Sequence, residues 1–186
     1  MKLGFVSAIL DSWTYEEMMD FASEYGFECV EAACWPQGKA ERRYAGVCHI
    51  DAEKVLTDDA YADHITEYSK EKHVEISALA FYPNTMDGNP EKRTSAVEHL
   101  KRVIQASDKL GIGMVTTFIG RDQTKTVEEN LEIVREVWPP IIRLAEEKKV
   151  KIAIENCPML FGTDQWPGGQ NLMTVYYTHL RAHETL

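Results

Sequence analysis

An α/β fold is predicted: a parallel sheet covered by helices, arranged as about five units of an incomplete (β/α)8 TIM barrel. Three observations predict it. Five short, near-continuous apolar runs alternate with segments of helical period along the 186 residues, and strands apolar on both faces belong to a parallel sheet buried between helices. The turn after the first run reads Ala8-Ile9-Leu10-Asp11-Ser12, without the glycines of an open dinucleotide-binding sheet, and no P-loop motif is present. Polar residues close successive runs, namely Glu31, Asn84, Thr117, Glu155 and Asn156, and a barrel carries its chemistry at those strand ends. A whole barrel needs eight units and roughly 250 residues, so five units are only part of one.

The elements follow in order. Leu3 to Leu10 is the first expected strand. Thr14 with Glu17 forms a capping box, and Met18, Met19, Ala22 and Tyr25 follow at helical spacing up to the stop at Gly26. Phe27 to Ala33 is the second strand. A helix from Asp59 carries Tyr61, Ile65 and Tyr68, and Val74 to Tyr82 is the third strand. A long helix from Pro90 aligns Ala96, Leu100, Val103, Ile104 and Leu110 before Gly111 ends it. Ile112 to Ile119 is the fourth strand. A second capping box, Thr126 with Glu129, opens a helix through Leu131, Val134, Ile141, Leu144 and Ala145, which Pro139 and Pro140 should kink or divide. Val150 to Ile154 is the fifth strand.

Composition narrows the function. Hydrophobic residues make up 44% of the chain, enough for one sizeable core. Thirty acidic residues against 20 basic give a net charge of −10, which disfavours nucleic acid and anionic membranes. The densest basic cluster, Lys39, Arg42 and Arg43, contains Glu41. No apolar run approaches the roughly eighteen residues of a spanning helix, and the opening run has no signal-peptide pattern. A cytoplasmic chain is therefore expected. Cysteines 29, 34, 48 and 157 form no C-x-x-C motif and are expected as free thiols.

Among residues that could carry chemistry, Glu155 stands out, because it ends the apolar run Lys151-Ile152-Ala153-Ile154 directly. A carboxylate there costs several kcal/mol to desolvate unless a cation or hydrogen bonds compensate it, and a surface Glu where the strand emerges into solvent is the competing reading. Glu31 repeats the arrangement after Glu28-Cys29-Val30, with a polar rim residue as the competing reading. His49, before Asp51, lies in a loop on the presumed catalytic side, whereas His64, His73 and His99 fall on helices and are expected to be solvated. Cys34 and Cys157 follow strand ends, but no histidine is placed to activate either, and packing is the better reading.

The elements Gly4-Phe5-Val6, Gly26-Phe27-Glu28-Cys29-Val30-Glu31, Ile76-Ser77-Ala78-Leu79 to Asn84, Thr117-Phe118-Ile119-Gly120 and Ala153-Ile154-Glu155-Asn156 together resemble the sugar phosphate isomerase/epimerase family. That family has the xylose isomerase-like barrel and is related to tagatose 3-epimerases, hydroxypyruvate isomerases, inosose dehydratases and endonuclease IV. The resemblance spans residues 1–174. It implies a divalent ion, Mn²⁺, Mg²⁺ or Co²⁺, held by Glu, Asp, His and Glu from strands five to eight. Glu155 matches the strand-five Glu, both ligand and acid/base, while the other three ligands have no counterpart before residue 174. The implied reaction is isomerisation or epimerisation of a sugar or sugar phosphate through an enediolate, with two carboxylates on opposite substrate faces. Trp35, Tyr82, Asn84, Gly120, Glu31 and His49 are the candidate substrate contacts; loop packing for Trp35 and turn roles for Asn84 and Gly120 compete with that reading.

Dehydration of an inosose-type polyol and a non-catalytic sugar-binding barrel are the alternatives. Endonuclease IV-type hydrolysis is rejected, because Phe81-Tyr82-Pro83-Asn84 and Phe118-Ile119-Gly120 stand where metal-binding histidines would be needed. Residues 175–186, including His179 and His183, read as a non-native, adapter-derived tail, with a native, poorly structured C-terminus as the rival reading. The chain alone is accordingly expected to be metal-poor, inactive, and prone to associate with further copies through open strand edges.

Overall fold

The structure, a computed structural model, describes residues 1–38 and 46–155. The basic cluster at residues 39–43, Asn156, Cys157 and the tail lie outside the described residues.

Five parallel strands are hydrogen-bonded in the order β1-β2-β3-β4-β5. They are β1 (Gly4–Val6), β2 (Cys29–Ala33), β3 (Glu75–Ala80), β4 (Met114–Thr117) and β5 (Lys151–Ile154). Helices α1 (Tyr15–Glu24), α2 (Ala52–Thr57), α3 (Asp59–Lys72), α4 (Pro90–Lys109) and α5 (Val127–Lys148) lie in the connections. Each strand pairs with its sequence neighbours, and β1 does not touch β3 in the sheet. A doubly wound sheet would have reversed direction at β1, so this is barrel order.

Side-chain caps set the helix starts. Thr14 Oγ1 accepts from Glu17 N at 3.2 Å while Glu17 Oε2 accepts from Thr14 N at 2.8 Å, and Thr126 with Glu129 repeats both bonds. Asn89 caps α4 through Oδ1, with Pro90 in the first turn. Helix α2 was not anticipated from the apolar pattern; Asp51 starts it by accepting from the amides of Glu53 and Lys54. One core joins these helices to one face of the sheet. Met18 and Met19 from α1, Ile65 from α3, Leu100 and Ile104 from α4 and Ile141 from α5 are fully buried with Val30, Leu79 and Val115.

Three expectations need correction. The first strand ends at Val6 rather than Leu10, and Ser7–Ile9 form a 3-10 turn. Its cause is a side chain: Ser7 Oγ accepts from Ala33 N at 2.8 Å and so occupies the next position of the β1–β2 ladder. Of the kink or division expected at Pro139 and Pro140, the division does not occur, because α5 runs through both. The carbonyls they deprive of a donor belong to Arg135 and Glu136, both exposed residues. Finally, His99 is not solvated but buried, donating from Nε2 to the carbonyl of Cys34 at 2.8 Å.

A register shift in the β2–β3 ladder decides which side chains share a face. Val30 pairs with Ile76, but Glu31 pairs with Ala78, leaving Ser77 unpaired as a bulge with its hydroxyl donating to the Val30 carbonyl. Unbroken alternation from Ile76 would send residue 82 to the helix-covered face with Ile76. The extra residue inverts the phase. Leu79 and Phe81 enter the core, and Ala78, Ala80 and Tyr82 take the opposite face, shared with Glu31.

Candidate active site

The face opposite the helices holds a cluster at the C-terminal ends of three strands. Tyr82, just past β3, donates its hydroxyl to Oε1 of Glu31 on β2. Glu155 stands one residue past β5, its amide donating to the Thr117 carbonyl at 2.9 Å, so the β4–β5 ladder fixes its backbone. Although Glu155 is exposed, partial desolvation raises its carboxyl above the usual carboxylate range; the neighbouring Glu31 charge adds to this and the Tyr82 hydroxyl opposes it. The Tyr82 phenol is pushed far above its ordinary range, first by burial and then by its bond to Glu31. Tyr82 is therefore a committed hydrogen-bond donor at neutral pH rather than a base. Its ring packs on Phe118 with centroids 4.7 Å apart.

Sequence reading did not single out Thr116. Its hydroxyl is buried beside the Tyr82 phenol. The residue named at this strand end, Thr117, belongs to the other face: it is fully buried with Val115 and Ile119 towards the helices. Strand alternation was the signal that could have separated the two.

The remaining candidates sit elsewhere. Asn84 Oδ1 accepts from the amides of Met86 and Arg121, and its Nδ2 donates to the Arg121 carbonyl. The amide thus ties the loop after β3 to the loop after β4. Gly120 adopts a φ of +78° directly against that amide, and a Cβ there would overlap it. Both residues therefore serve the loop architecture around the cluster.

His49 is buried with both ring nitrogens engaged. Nε2 can only donate to the Leu10 carbonyl (3.1 Å), so Nδ1 accepts from the Ser7 hydroxyl at 2.9 Å. Burial lowers its pKa, in keeping with a neutral ring. It clamps the β1 and β2 ends and has no free atom for a ligand. Trp35 follows β2 and packs edge-on against Phe81 at 4.9 Å, on the core side. The structure brings together Glu31, Tyr82 and Glu155, and places Asn84, Gly120, His49 and Trp35 in the supporting framework.

Two carboxylates and a phenol offer oxygen ligands, but they do not amount to a metal site. Among the described residues no group of three or more His, Cys, Asp or Glu could hold an ion, and one or two carboxylates do not complete an oxygen shell for a divalent cation. Nor is any described helix long and apolar enough to cross a membrane.

Comparison with known proteins agrees with the strand order. The chain is similar to the IolI protein solved with a bound zinc atom (20% identity, TM-score 0.59, covering 83% of this chain and 51% of that one). It is also similar to the D-psicose 3-epimerase of Clostridium cellulolyticum H10, solved with D-tagatose (18%, TM-score 0.55, 83% and 52%). A third similar structure is the 3-keto-D-glucoside 4-epimerase YcjR of E. coli (13%, TM-score 0.59, 83% and 55%). The chain spans about half the length of these structures. None of the curated proteins shows significant sequence similarity to it. A family profile described as xylose isomerase-like TIM barrel matches residues 19–171. Sequential parallel strands, carboxylates at their C-terminal ends and a match over most of the sequence place the chain in the xylose isomerase-like TIM-barrel family.

Proposed function

We propose that these residues form part of an isomerase or epimerase acting on a sugar or sugar phosphate by proton transfer through an enediolate. The observation that carries the reading is Glu155 at the strand ends, beside the Glu31 carboxylate and within reach of the Tyr82 hydroxyl. An acid/base group works best with its pKa moved towards the working pH, and both burial and Glu31 move Glu155 in that direction. Glu155 would take the proton from the carbon beside the carbonyl and return it. Tyr82, held protonated and oriented by Glu31, would donate to an oxygen on which charge develops.

A divalent ion would supply polarisation of the carbonyl and its neighbouring hydroxyl. Glu155 is the described residue suited to ligate it. The described residues do not complete such a site, and no step above depends on one. They also supply only one of the two acid/base groups that inversion at carbon requires, so the activity belongs to a barrel with a second group facing Glu155. The 186 residues alone are proposed to be inactive.

The test is solvent-deuterium incorporation next to the carbonyl of ketoses, aldoses and their phosphates, with and without added Mn²⁺. It is run on this chain and on any longer product of the same reading frame. The longer product should exchange, and Glu155→Gln should slow exchange by at least a hundredfold, the usual scale of a lost acid/base group. Exchange that survives Glu155→Gln would overturn the assignment.

A further inference from the structure

We propose that Cys34 and Cys48 are a built-in thiol pair that closes to a reversible disulfide on reaction with a small-molecule disulfide such as oxidised glutathione. The two residues face each other in an isolated antiparallel bridge outside the main sheet. The flanking hydrogen bonds define its type: Trp35 N donates to the Val47 carbonyl at 3.2 Å and His49 N to the Ala33 carbonyl at 2.9 Å. Both bonds lie outside the pair, so Cys34 and Cys48 occupy a non-hydrogen-bonded position. Cα atoms of such a pair are about 4.5 Å apart, with side chains on the same side. That separation falls within the window of about 4.4–6.8 Å that disulfides span.

Three further features fit. Both thiols are free, and each lies close enough for the charge of one to act on the other. Their access differs: Cys34 is fully buried, whereas Cys48 is only partly so. The backbone around them is fixed, since Cys34 N donates to the Ala80 carbonyl and its own carbonyl accepts from His99. Cys29 supplies an internal control. Five positions before Cys34, at the start of β2, it lies on the opposite face of the sheet.

Partial exposure sets the order of events. Cys48 loses its proton and attacks one sulfur of oxidised glutathione, forming a mixed disulfide and releasing one glutathione thiolate. Cys34 then loses its proton and attacks the Cys48 sulfur, displacing the second glutathione. Two electrons pass from the protein thiols to the small disulfide, and the two protons end on two glutathione molecules. Burial pushes both thiols up, Cys48 to about 12, so closure is slow at neutral pH and the experiment is run at mildly alkaline pH.

The full chain is incubated with oxidised glutathione, alkylated, and digested at basic and glutamyl sites, which separates Cys29 from Cys34 at Glu31. Before alkylation the expected product is 2 Da lighter than the reduced chain; after digestion it carries a Cys34–Cys48 cross-linked peptide, and it reverts with dithiothreitol. Cys48→Ser should abolish the cross-link, and Cys29→Ser should leave it unchanged. A stable glutathione adduct on Cys48, a link through Cys29 or Cys157 instead, or full alkylation of both thiols would each overturn the proposal. Mapping the unsubstituted chain decides the matter even if Cys48→Ser folds poorly.

Discussion

Replacing Tyr82 with Phe removes one oxygen and leaves the ring on Phe118, so it isolates the hydrogen bond at the centre of the cluster. Hydrogen bonds to charged groups contribute about 1.5–3 kcal/mol, and Glu31 is partly buried, so the substitution should cost within that range at neutral pH. For a chain of this size each kcal/mol moves Tm by about 2–4 °C, which gives a fall of about 3–12 °C. The pH dependence carries a second signature. Tyr82 favours the charged form of Glu155, so without it the Glu155 carboxyl should titrate higher still. Urea denaturation at pH 7, with a carbon-13 titration of the Glu155 carboxyl, reads both effects. A Tyr82→Phe chain as stable as the parent at pH 7, with Glu155 titrating no higher, would refute the coupling of the three residues.

Other outcomes rest on the same geometry. Gly120→Ala should cost about 2–4 kcal/mol, from left-handed backbone strain and displacement of the Asn84 amide; combined with Asn84→Ala, the denaturation free energies should fall short of additive by at least about 0.5 kcal/mol. His49 and His99 both have lowered pKa values from burial, so the stability they confer is present above the ordinary histidine range and lost as pH falls through their folded values. A His49→Gln, His99→Gln chain should show a flatter stability profile between about pH 5 and 7. Glu155 has the opposite sign: its raised carboxyl makes the folded state bind more protons, so stability falls as pH rises above the usual carboxylate range. Glu155→Gln should therefore be at least as stable as the parent at pH 7 and lose that advantage under acid conditions, as read by denaturation under both conditions.

The strand order was legible because each strand and the helix after it carry their own local signals. Both capping boxes formed as their Thr and Glu residues dictate, and apolar runs fell at all five strands. Less was legible where tertiary contacts outvote local pattern. Leu3 to Leu10 reads as one strand, yet the Ser7 side chain takes over the ladder after Val6. A histidine in mid-helix reads as solvated, yet His99 meets a carbonyl that only the folded β2 end supplies. Helix α2 has six residues, too few for periodicity to register.

The candidate site shows the same division, and the bulge at Ser77 explains it. Glu31 and Glu155 could be chosen from sequence because each ends an apolar run, a property of the strand alone. Whether Tyr82 or its neighbours would join them depends on which face it takes, and period-two alternation answers that wrongly by one residue. The Ser77 hydroxyl, bonded to the Val30 carbonyl, holds the extra residue in place. Polar satisfaction of the bulge and placement of a phenol between two carboxylates are thus the same local event. This juxtaposition also resolves a tension in the cluster: two like charges at nearby strand ends repel, and a donor on the shared face offsets part of that cost. Had Ser77 stayed in register, Tyr82 would have joined Phe81's neighbours in the core, and Glu31 would have faced Glu155 without a donor.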